Sequence, residues 1–332
     1  MKKITILGAG TWGTALAAML KRENGHEIWL WSAFESELND LKSNLRHPNL
    51  KGLVLPDGIN YESDISLSCG GADFIVMAVP SPYVRDTARK IAPFISEKTI
   101  IANVAKGLEQ GSGMTLCEVI EDEIGERNGG IVALSGPTHA EEVALGMPTT
   151  IVAASEREGA AEEVQRVFSG SFFRIYTNSD VKGIEICGAM KNIIAICAGI
   201  STGLGYGDNA RAAIVTRGMA EITRLGVAMG CSGRTFESLA GIGDLVVTCM
   251  SRHSRNHRVG VLIGQGYSAE DAKNEVGMAV EGLNALPAAL ELSERLGVEL
   301  PFCMTLNDII LGKLDVREAV NSLMMRTLKS EI

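Results

Sequence analysis

The sequence lacks a C-x-x-C pair, and its cysteines give no sign of a disulfide framework or a zinc site. The seven cysteines are odd in number and scattered along the chain: Cys69, Cys117, Cys187, Cys197, Cys231, Cys249 and Cys303. Disulfide scaffolds and structural zinc sites need cysteines at regular, closely spaced positions. The pattern therefore predicts a protein without a bound metal that works in a reducing compartment, and we expect a cytoplasmic location.

Long apolar runs and an excess of positive charge are also missing. Apart from residues 4–20, no run approaches the ~20 apolar residues that span a bilayer. That run follows Lys2 and Lys3, as in a signal peptide, but glycines interrupt it and charged residues follow at once, so we assign it to the fold. The chain has 31 Lys and Arg against 40 Asp and Glu, a net charge of −9. This balance argues against nucleic acid or an acidic membrane as a general partner.

The chain is long enough for two domains, and its pattern changes near residue 180. Its 332 residues exceed the ~100–200 of one typical domain. In the first part, short β-rich apolar runs alternate with helix-like segments, as in a doubly wound, Rossmann-like parallel sheet. After that point the segments are helix-like. We therefore predict an α/β domain over 1–185 and an all-helical domain over 186–332. The predicted strands cover 4–7, 27–31, 74–79, 99–103, 131–134, 149–153 and 172–176.

A glycine motif follows the first predicted strand and opens the first predicted helix. Gly8, Gly10 and Gly13 form a G-x-G-x-x-G pattern, with Thr11 and Trp12 inside it. The first glycine permits a tight turn, the second lets backbone approach a pyrophosphate, and the third lets the helix pack on the strand. The helix N-terminus adds unpaired N–H groups and the positive end of the helix dipole. The motif therefore predicts that residues 1–185 bind a nicotinamide dinucleotide.

The end of the second predicted strand leaves the choice of coenzyme open. An acidic residue about twenty positions after the glycines usually binds the ribose 2′-hydroxyl of NADH. Here the strand ends in Trp31, Ser32 and Ala33, without an acid. Ser32 could donate to a 2′-phosphate, which favours acceptance of NADPH. Glu35 could still reach the ribose, which keeps NADH as the alternative.

Two lysines stand where charged side chains are unusual. Lys191 lies in a helix-like segment over 184–200 whose other charged residue is Glu185. A buried ammonium must be paired or have a lowered pKa, and either condition suits proton exchange with a substrate oxygen. Lys106 follows a predicted strand and precedes Gly107, so we expect it at the carboxyl edge of the sheet, where ligands bind. The alternatives are a snorkelling Lys191 and a solvated surface Lys106.

A carboxylate and a basic cluster in the second half complete the candidate groups. Asp244 follows two glycines in an apolar segment, where it could bond a lysine or a substrate hydroxyl, or cap a helix. Residues 251–258 hold three arginines that suit phosphate capture, although a solvated basic loop fits equally well. His253 and His257 lie in this cluster, so histidine-based chemistry stays open. The other histidines are expected to be structural or surface groups: His26, His47 and His139.

Together these segments resemble the bacterial NAD(P)-dependent glycerol-3-phosphate dehydrogenases. The resemblance runs in order over nearly the whole chain, and the combination is far more specific than the glycine motif alone. It rests on Gly8-x-Gly10-x-x-Gly13, Val79-Pro80-Ser81, Lys106-Gly107, Ser135-Gly136-Pro137-Thr138, Lys191-Asn192, Gly243-Asp244-Leu245, Ser254-Arg255-Asn256 and Glu281-Gly282. It implies reversible hydride transfer between NADPH or NADH and dihydroxyacetone phosphate, giving sn-glycerol 3-phosphate, a precursor of glycerophospholipids. It also implies a homodimer.

The resemblance implies roles for individual residues as well. Lys191 would exchange the proton with the substrate, Lys106 would contact substrate and cofactor, and Asp244 would bind a substrate hydroxyl and orient Lys191. The implied substrate site, in the helical domain and the facing loops, contains Lys106, Gly136, Thr138, Lys191, Asp244, Ser254, Arg255 and Asn256, supported by Asn192 and Thr248. The implied cofactor site contains Gly8, Gly10, Thr11, Trp12, Gly13, Ser32, Lys106, Ala140, Arg255, Ala279 and Glu281.

Two other functions compete with this one. β-Hydroxyacid and 6-phosphogluconate dehydrogenases also join a dinucleotide domain to a helical domain with a catalytic lysine, but their helix typically reads G-x-x-x-K-x-x-x-N. Here Gly188 precedes Lys191 by three positions and Asn192 follows directly. A catalytically silent nicotinamide sensor could use the same fold, although an uncharged setting around Lys191 and Asp244 argues against it.

Overall fold

The first half of the molecule is built around one sheet in the computed structural model, which describes residues 1–328 and 330. Residues 329, 331 and 332, which the sequence assigns to the second domain, lie outside the described residues. The strands are β1 (Lys3–Leu7), β2 (Glu27–Trp31), β3 (Ile59–Glu62), β4 (Phe74–Met77), β5 (Ile100–Asn103), β6 (Gly130–Ser135), β7 (Thr149–Ala154) and β8 (Phe173–Asn178).

The strands pair in the order β3-β2-β1-β4-β5-β6-β7-β8. Every neighbouring pair is parallel except β6 and β7, which run antiparallel. The predicted doubly wound, mostly parallel sheet is therefore confirmed. The edge strand β3 is not among the predicted strands, because its sequence INYE is short and half polar.

Helices cover both faces of this sheet, so its central strands are apolar on both sides. Ile4 and Ile6 of β1 face one apolar cluster, whereas Leu7 belongs to the cluster on the other face together with Ile75 and Met77 of β4. This alternation follows from the two-residue period of a strand. The covering helices are α1 (Thr11–Asn24), α2 (Glu35–Asn44), α3 (Ile65–Cys69), α4 (Val84–Ile91), α5 (Leu116–Ile124), α6 (Ala140–Ala144) and α7 (Ala160–Phe168).

The second half is helical and has its own apolar core, as predicted. Its helices are α8 (Val181–Gly203), α9 (Asp208–Ala228), α10 (Asp244–Met250), α11 (Arg255–Gly264), α12 (Ala269–Val276), α13 (Glu281–Leu296), α14 (Pro301–Ile310) and α15 (Val316–Met324). Helix α8 is the centre of this half, and it packs against α9, α10, α11 and α13.

Helices α8 and α11 cross with their backbones in contact, because glycines line both sides of the crossing. A Cβ on Gly199 of α8 would overlap the carbonyl oxygen of His257, and one on Gly260 of α11 would overlap that of Ile196. Gly203 and Gly264 repeat this arrangement one turn further along. Any side chain at these positions would push the two helices apart.

Helix α8 is also long and apolar enough to span a membrane by length and composition alone. The sequence-based expectation that no run of membrane-spanning length exists beyond residues 4–20 is therefore corrected by this helix. However, 94% of its most apolar 18-residue window is buried inside the protein. Buried helices of soluble cores pass the same test, and α8 carries Glu185 in its second turn and Lys191 near its middle. We therefore describe α8 as the core helix of the second half.

Candidate active site

The glycine turn has the shape that its sequence predicts. Gly8 adopts a φ of +123°, and a Cβ there would lie 2.7 Å from the carbonyl oxygen of Ala78. A Cβ on Gly13 would overlap the Gly8 carbonyl, whereas none of the described residues lies within 4 Å of the Cβ position of Gly10. Helix α1 starts directly after Gly10, and the buried Thr11 Oγ1 has no partner in the described part of the chain. This turn fits a pyrophosphate, because it offers free N–H groups and an unused hydroxyl.

Ser32 lies at the end of β2, but its hydroxyl is already engaged. Its Oγ donates to Oε2 of Glu37 over 2.7 Å and accepts from the backbone N–H of Phe34 over 3.1 Å. In this structure the one proton of the Ser32 hydroxyl points to Glu37. Donation from Ser32 to a 2′-phosphate stays a prediction. The acid beside the strand end is Glu37 rather than Glu35, since one turn of α2 brings Glu37 back to Ser32.

Three charged side chains meet where the two halves face each other. Nζ of Lys191 on α8 lies 2.6 Å from Oδ1 of Asp244 on α10, and Nζ of Lys106 lies 2.7 Å from Oδ2 of the same carboxylate. Lys191 also donates to Oγ1 of Thr248 over 2.8 Å. The side chains of Lys191 and Asp244 are 8% and 1% exposed. Neither a snorkelling Lys191 nor a solvated Lys106 describes this group.

Burial and neighbouring charge together set the protonation of this cluster. Burial lowers the pKa of Lys191 to about 8, with Lys106 acting in the same direction and Asp244 opposing. Burial alone would raise the pKa of Asp244, but the ammonium groups of Lys106 and Lys191 hold it below its usual range. Asp244 is therefore an anion at neutral pH, while Lys191 can exist as either ammonium or amine near pH 8.

The loops that carry Lys106 and Asp244 are fixed by the backbone around them. Lys106 follows β5, and its Nζ also donates to the Gly136 carbonyl over 3.0 Å, which accepts from Thr138 Oγ1 over 2.9 Å as well. Asp244 begins α10 directly after a π-helical turn over Leu239–Gly243. A Cβ on Gly241 in that turn would overlap the Phe236 carbonyl, so only glycine fits there. The turn thus aims Asp244 at both lysines.

Glu185 is a buried carboxylate of α8 to which the sequence analysis gives no role. It accepts a hydrogen bond from Nδ2 of Asn103 over 2.8 Å and from the backbone N–H of Cys117 over 2.9 Å. Burial raises its pKa. These bonds join the helix of Lys191 to the end of β5, three residues before Lys106, and to the first turn of α5. The signal for this role was a charged residue in an otherwise apolar helix.

The residues implied for substrate binding on α11 make contacts within the protein. Nδ2 of Asn256 donates to Oδ1 of Asn192, and its Oδ1 accepts from the backbone N–H of Gly282, both over 2.9 Å. Ser254 is the N-cap of α11 and accepts from the backbone N–H of His257 over 3.2 Å. These bonds tie the starts of α11 and α13 to α8.

Arg255 lies close enough to Glu281 for their charges to interact. Burial lowers the pKa of Arg255, while the charges of Glu281 and Glu141 oppose that shift. Glu281 accepts hydrogen bonds from the backbone N–H of Ser81 over 3.1 Å and from its hydroxyl. This contact joins the first turn of α13 to the loop after β4, across the two halves of the molecule.

The remaining implied cofactor residues have apolar side chains and lie at or near the starts of helices. Ala140 is the buried first residue of α6, and Ala279 is half-buried in the loop before α13. Trp12 is half-buried and packs against the sheet core.

The histidines near the basic cluster differ in burial and contacts. His257 is buried, and its ring contacts the Thr202 hydroxyl over 3.2 Å, while His253 is exposed. His139, expected to be structural or on the surface, has its ring centroid 5.9 Å from that of His253. Burial lowers the pKa of His139 to about 4, and the charge of Lys191 acts in the same direction. His139 therefore lies near the lysine cluster as a neutral ring.

Two family models together cover most of the chain. Residues 3–161 match the N-terminal model of NAD-dependent glycerol-3-phosphate dehydrogenase, and residues 180–321 match the C-terminal model of the same family. A glycerol-3-phosphate dehydrogenase [NAD(P)+] 2 of Lactobacillus delbrueckii subsp. bulgaricus is 52% identical over 100% of this chain and 99% of its own length. A glycerol-3-phosphate dehydrogenase [NAD(P)+] of Bacillus subtilis is 47% identical over 98% of this chain and 95% of its own.

A solved structure agrees with these matches. The crystal structure of a glycerol-3-phosphate dehydrogenase from Coxiella burnetii superposes with a TM-score of 0.92 at 36% identity, covering 98% of this chain and 99% of its own. The resemblance noted from the sequence motifs is confirmed. The chain therefore belongs to the NAD-dependent glycerol-3-phosphate dehydrogenase family.

Proposed function

We propose that this chain catalyses the reversible reduction of dihydroxyacetone phosphate to sn-glycerol 3-phosphate, with NADH or NADPH as the coenzyme and Lys191 as the proton donor. The observation that carries the proposal is the buried Lys191–Asp244–Lys106 cluster, in which side chains from both halves of the molecule meet. The product would feed glycerophospholipid synthesis.

The chemistry divides between the coenzyme and the protein. The bound coenzyme supplies a hydride to C2 of the ketone, and Gly8, Gly10, Gly13 and Thr11 would hold its pyrophosphate. The carbonyl oxygen then needs one proton to become a hydroxyl. The Lys191 ammonium supplies that proton, because its lowered pKa makes it a better acid than an exposed lysine. In alcohol oxidation the Lys191 amine takes the proton back.

The other two charged groups support this transfer. Asp244 fixes the position of the Lys191 ammonium and would accept a hydrogen bond from a substrate hydroxyl. Lys106 places a second positive charge near the developing oxyanion. Arg255 is the candidate for the substrate phosphate, with Gly136, Thr138, Ser254 and Asn256 forming the wall around it.

The replacement Lys191→Met tests the proposal, because it keeps an unbranched side chain that is one heavy atom shorter and removes the proton. We expect kcat to fall by about 10²–10⁴-fold, the usual contribution of general acid–base catalysis. Coenzyme affinity, measured by calorimetry, should stay within a few-fold of wild type. In the wild type, turnover of dihydroxyacetone phosphate and of hydroxyacids is compared by nicotinamide absorbance. Normal turnover in Lys191→Met, or faster turnover of hydroxyacids than of dihydroxyacetone phosphate by the wild type, would contradict the proposal.

We also propose a cytoplasmic homodimer. All seven cysteines are free, which suits a reducing compartment. Large apolar side chains are exposed on the helical half, including Val227, Met304 and Leu311, as at a subunit contact. Light scattering coupled to size-exclusion chromatography should give twice the 35.3 kDa chain mass. A monomer at micromolar concentration would contradict this part of the proposal.

A further inference from the structure

The carboxylate of Glu37 lies beside the end of β2, where a coenzyme with a 2′-phosphate would need a cation. Ser32 is 4% exposed, and its single hydroxyl proton goes to Glu37 over 2.7 Å. Its hydroxyl oxygen also accepts a hydrogen bond from the backbone N–H of Phe34. Ser32 is thus oriented to fix Glu37 and has no proton left for a phosphate oxygen.

This pair lies at the same sheet edge as the glycine turn. In the register of β1 and β2, Leu7 is opposite Trp31, and the N–H of Gly8 donates to the Trp31 carbonyl over 2.9 Å. Ser32 is the next residue along the chain. In this fold, the strand end beside the first βα turn faces the ribose that carries the adenine, and its 2′ position distinguishes NADH from NADPH.

The charges around Glu37 do not offset its carboxylate. No lysine or arginine among residues 1–328 and 330 forms an ion pair or hydrogen bond with Ser32 or Glu37. The charge of Glu37 acts on His47, whose Nδ1 accepts the backbone N–H of Asn49 over 3.1 Å. Burial lowers the pKa of His47 and outweighs the opposing effect of Glu37, so the ring adds little positive charge at pH 7 to offset a 2′-phosphate.

We propose that Glu37, oriented by Ser32, makes this chain select NADH over NADPH. The inference rests on the proposed function for its kinetic readout and concerns the coenzyme half of the same site. The Glu37 carboxylate can accept a hydrogen bond from a ribose 2′-hydroxyl. A 2′-phosphate in that place would meet a like charge and would find the Ser32 proton already used.

The test compares both coenzymes in the wild type and in Glu37→Gln, with Glu35→Gln as the matched control. Glu37→Gln keeps the size of an exposed side chain and removes its charge, whereas Glu35→Gln removes the same charge from the same turn without touching Ser32. For each protein, kcat/KM is measured with dihydroxyacetone phosphate and either NADH or NADPH. The dissociation constants of both coenzymes are measured by calorimetry.

We expect the wild type to favour NADH by about tenfold or more in kcat/KM and in affinity, as one nearby like charge can produce. Glu37→Gln should reduce that ratio about tenfold, mainly by improving NADPH, and Glu35→Gln should leave it unchanged. Equal use of NADPH by the wild type, or an unchanged ratio in Glu37→Gln, would overturn the inference. If neither coenzyme is oxidised, the proposed function fails, and the two dissociation constants still decide the coenzyme preference.

Discussion

Glu185 and Asn103 are joined by a 2.8 Å hydrogen bond that connects the helix of Lys191 to the strand leading to Lys106. Both residues are buried, with 6% and 2% exposure. The carboxylate also accepts from the backbone N–H of Cys117, so three separate segments meet at one side chain. The spacing between the two lysines therefore depends on a residue that touches neither of them.

Replacing Glu185 by Gln should weaken this junction. The amide would turn a donor toward either Asn103 or Cys117, which already donate there, and a buried unmatched donor costs about 1–3 kcal/mol. We expect a lower free energy of unfolding in urea and a fall in kcat larger than the change in coenzyme KM. Glu121→Gln, an exposed change on α5, is the control and should shift stability by less than about 0.5 kcal/mol. Wild-type stability and kcat in Glu185→Gln would contradict a positioning role.

The pKa of Lys191 predicts opposite pH profiles for the two directions of the reaction. Ketone reduction needs the ammonium, so kcat should fall as the pH rises through about 8. Alcohol oxidation needs the amine, so kcat should rise over the same range. Asp244 stays ionised throughout, because its pKa is held low. Lys191→Arg should abolish the inflection, because arginine stays protonated to about pH 12. Parallel profiles in the two directions would contradict the assignment.

Because the backbones of α8 and α11 are in contact, even one added methyl group at the crossing should lower the stability of the protein. Gly199→Ala should destabilise the protein by about 1–3 kcal/mol, because the new methyl group would overlap the His257 carbonyl. Gly233→Ala is the control, because none of the described residues lies within 4 Å of that Cβ position and no positive φ is required there. Thermal and urea unfolding would measure both. An unchanged stability in Gly199→Ala would mean that the helices can separate at no cost.

The contact between Ser81 and Glu281 predicts a link between coenzyme affinity and the fit of the two halves. Ser81→Ala removes the hydroxyl donor and leaves the backbone donor in place. We expect a three- to tenfold weaker coenzyme affinity, equal to about 1 kcal/mol for one lost hydrogen bond. Calorimetric titration with NADH would measure it. An unchanged dissociation constant would show that Glu281 is held well enough by its other contacts.

The sequence predicts those parts of the molecule whose cause is local. The β-branched runs of β1 and β5 and the glycine motif give both the sheet and the phosphate turn, because the residues that form them are adjacent. The edge strand β3 is not predicted in this way, because INYE has only four residues and two of them are polar. The antiparallel pairing of β6 with β7 is not predicted either, because the direction of a strand depends on the path of the connection before it and not on the residues of the strand.

In the candidate site as well, the sequence predicts the features with a local cause and misses those that depend on distant residues. Lys191 stands out in an apolar helix, but Asp244 lies 53 residues from Lys191 and 138 residues from Lys106 in the sequence. Their shared contact depends on how the halves pack. The sequence singles out Glu35 rather than Glu37, because the contact of Glu37 with Ser32 depends on how the first turn of α2 folds back to the strand end.

The Lys106–Asp244–Lys191 cluster has two cations and one anion, so it keeps one unbalanced positive charge in a shielded crevice of an otherwise acidic molecule. Such a crevice attracts small anions of any kind, because little water is present to screen the charge. Inorganic phosphate and sulfate in the surrounding solution would thus compete for the space that the metabolite occupies. The rate of the enzyme then depends on the salt composition of its medium as well as on the supply of its reactants.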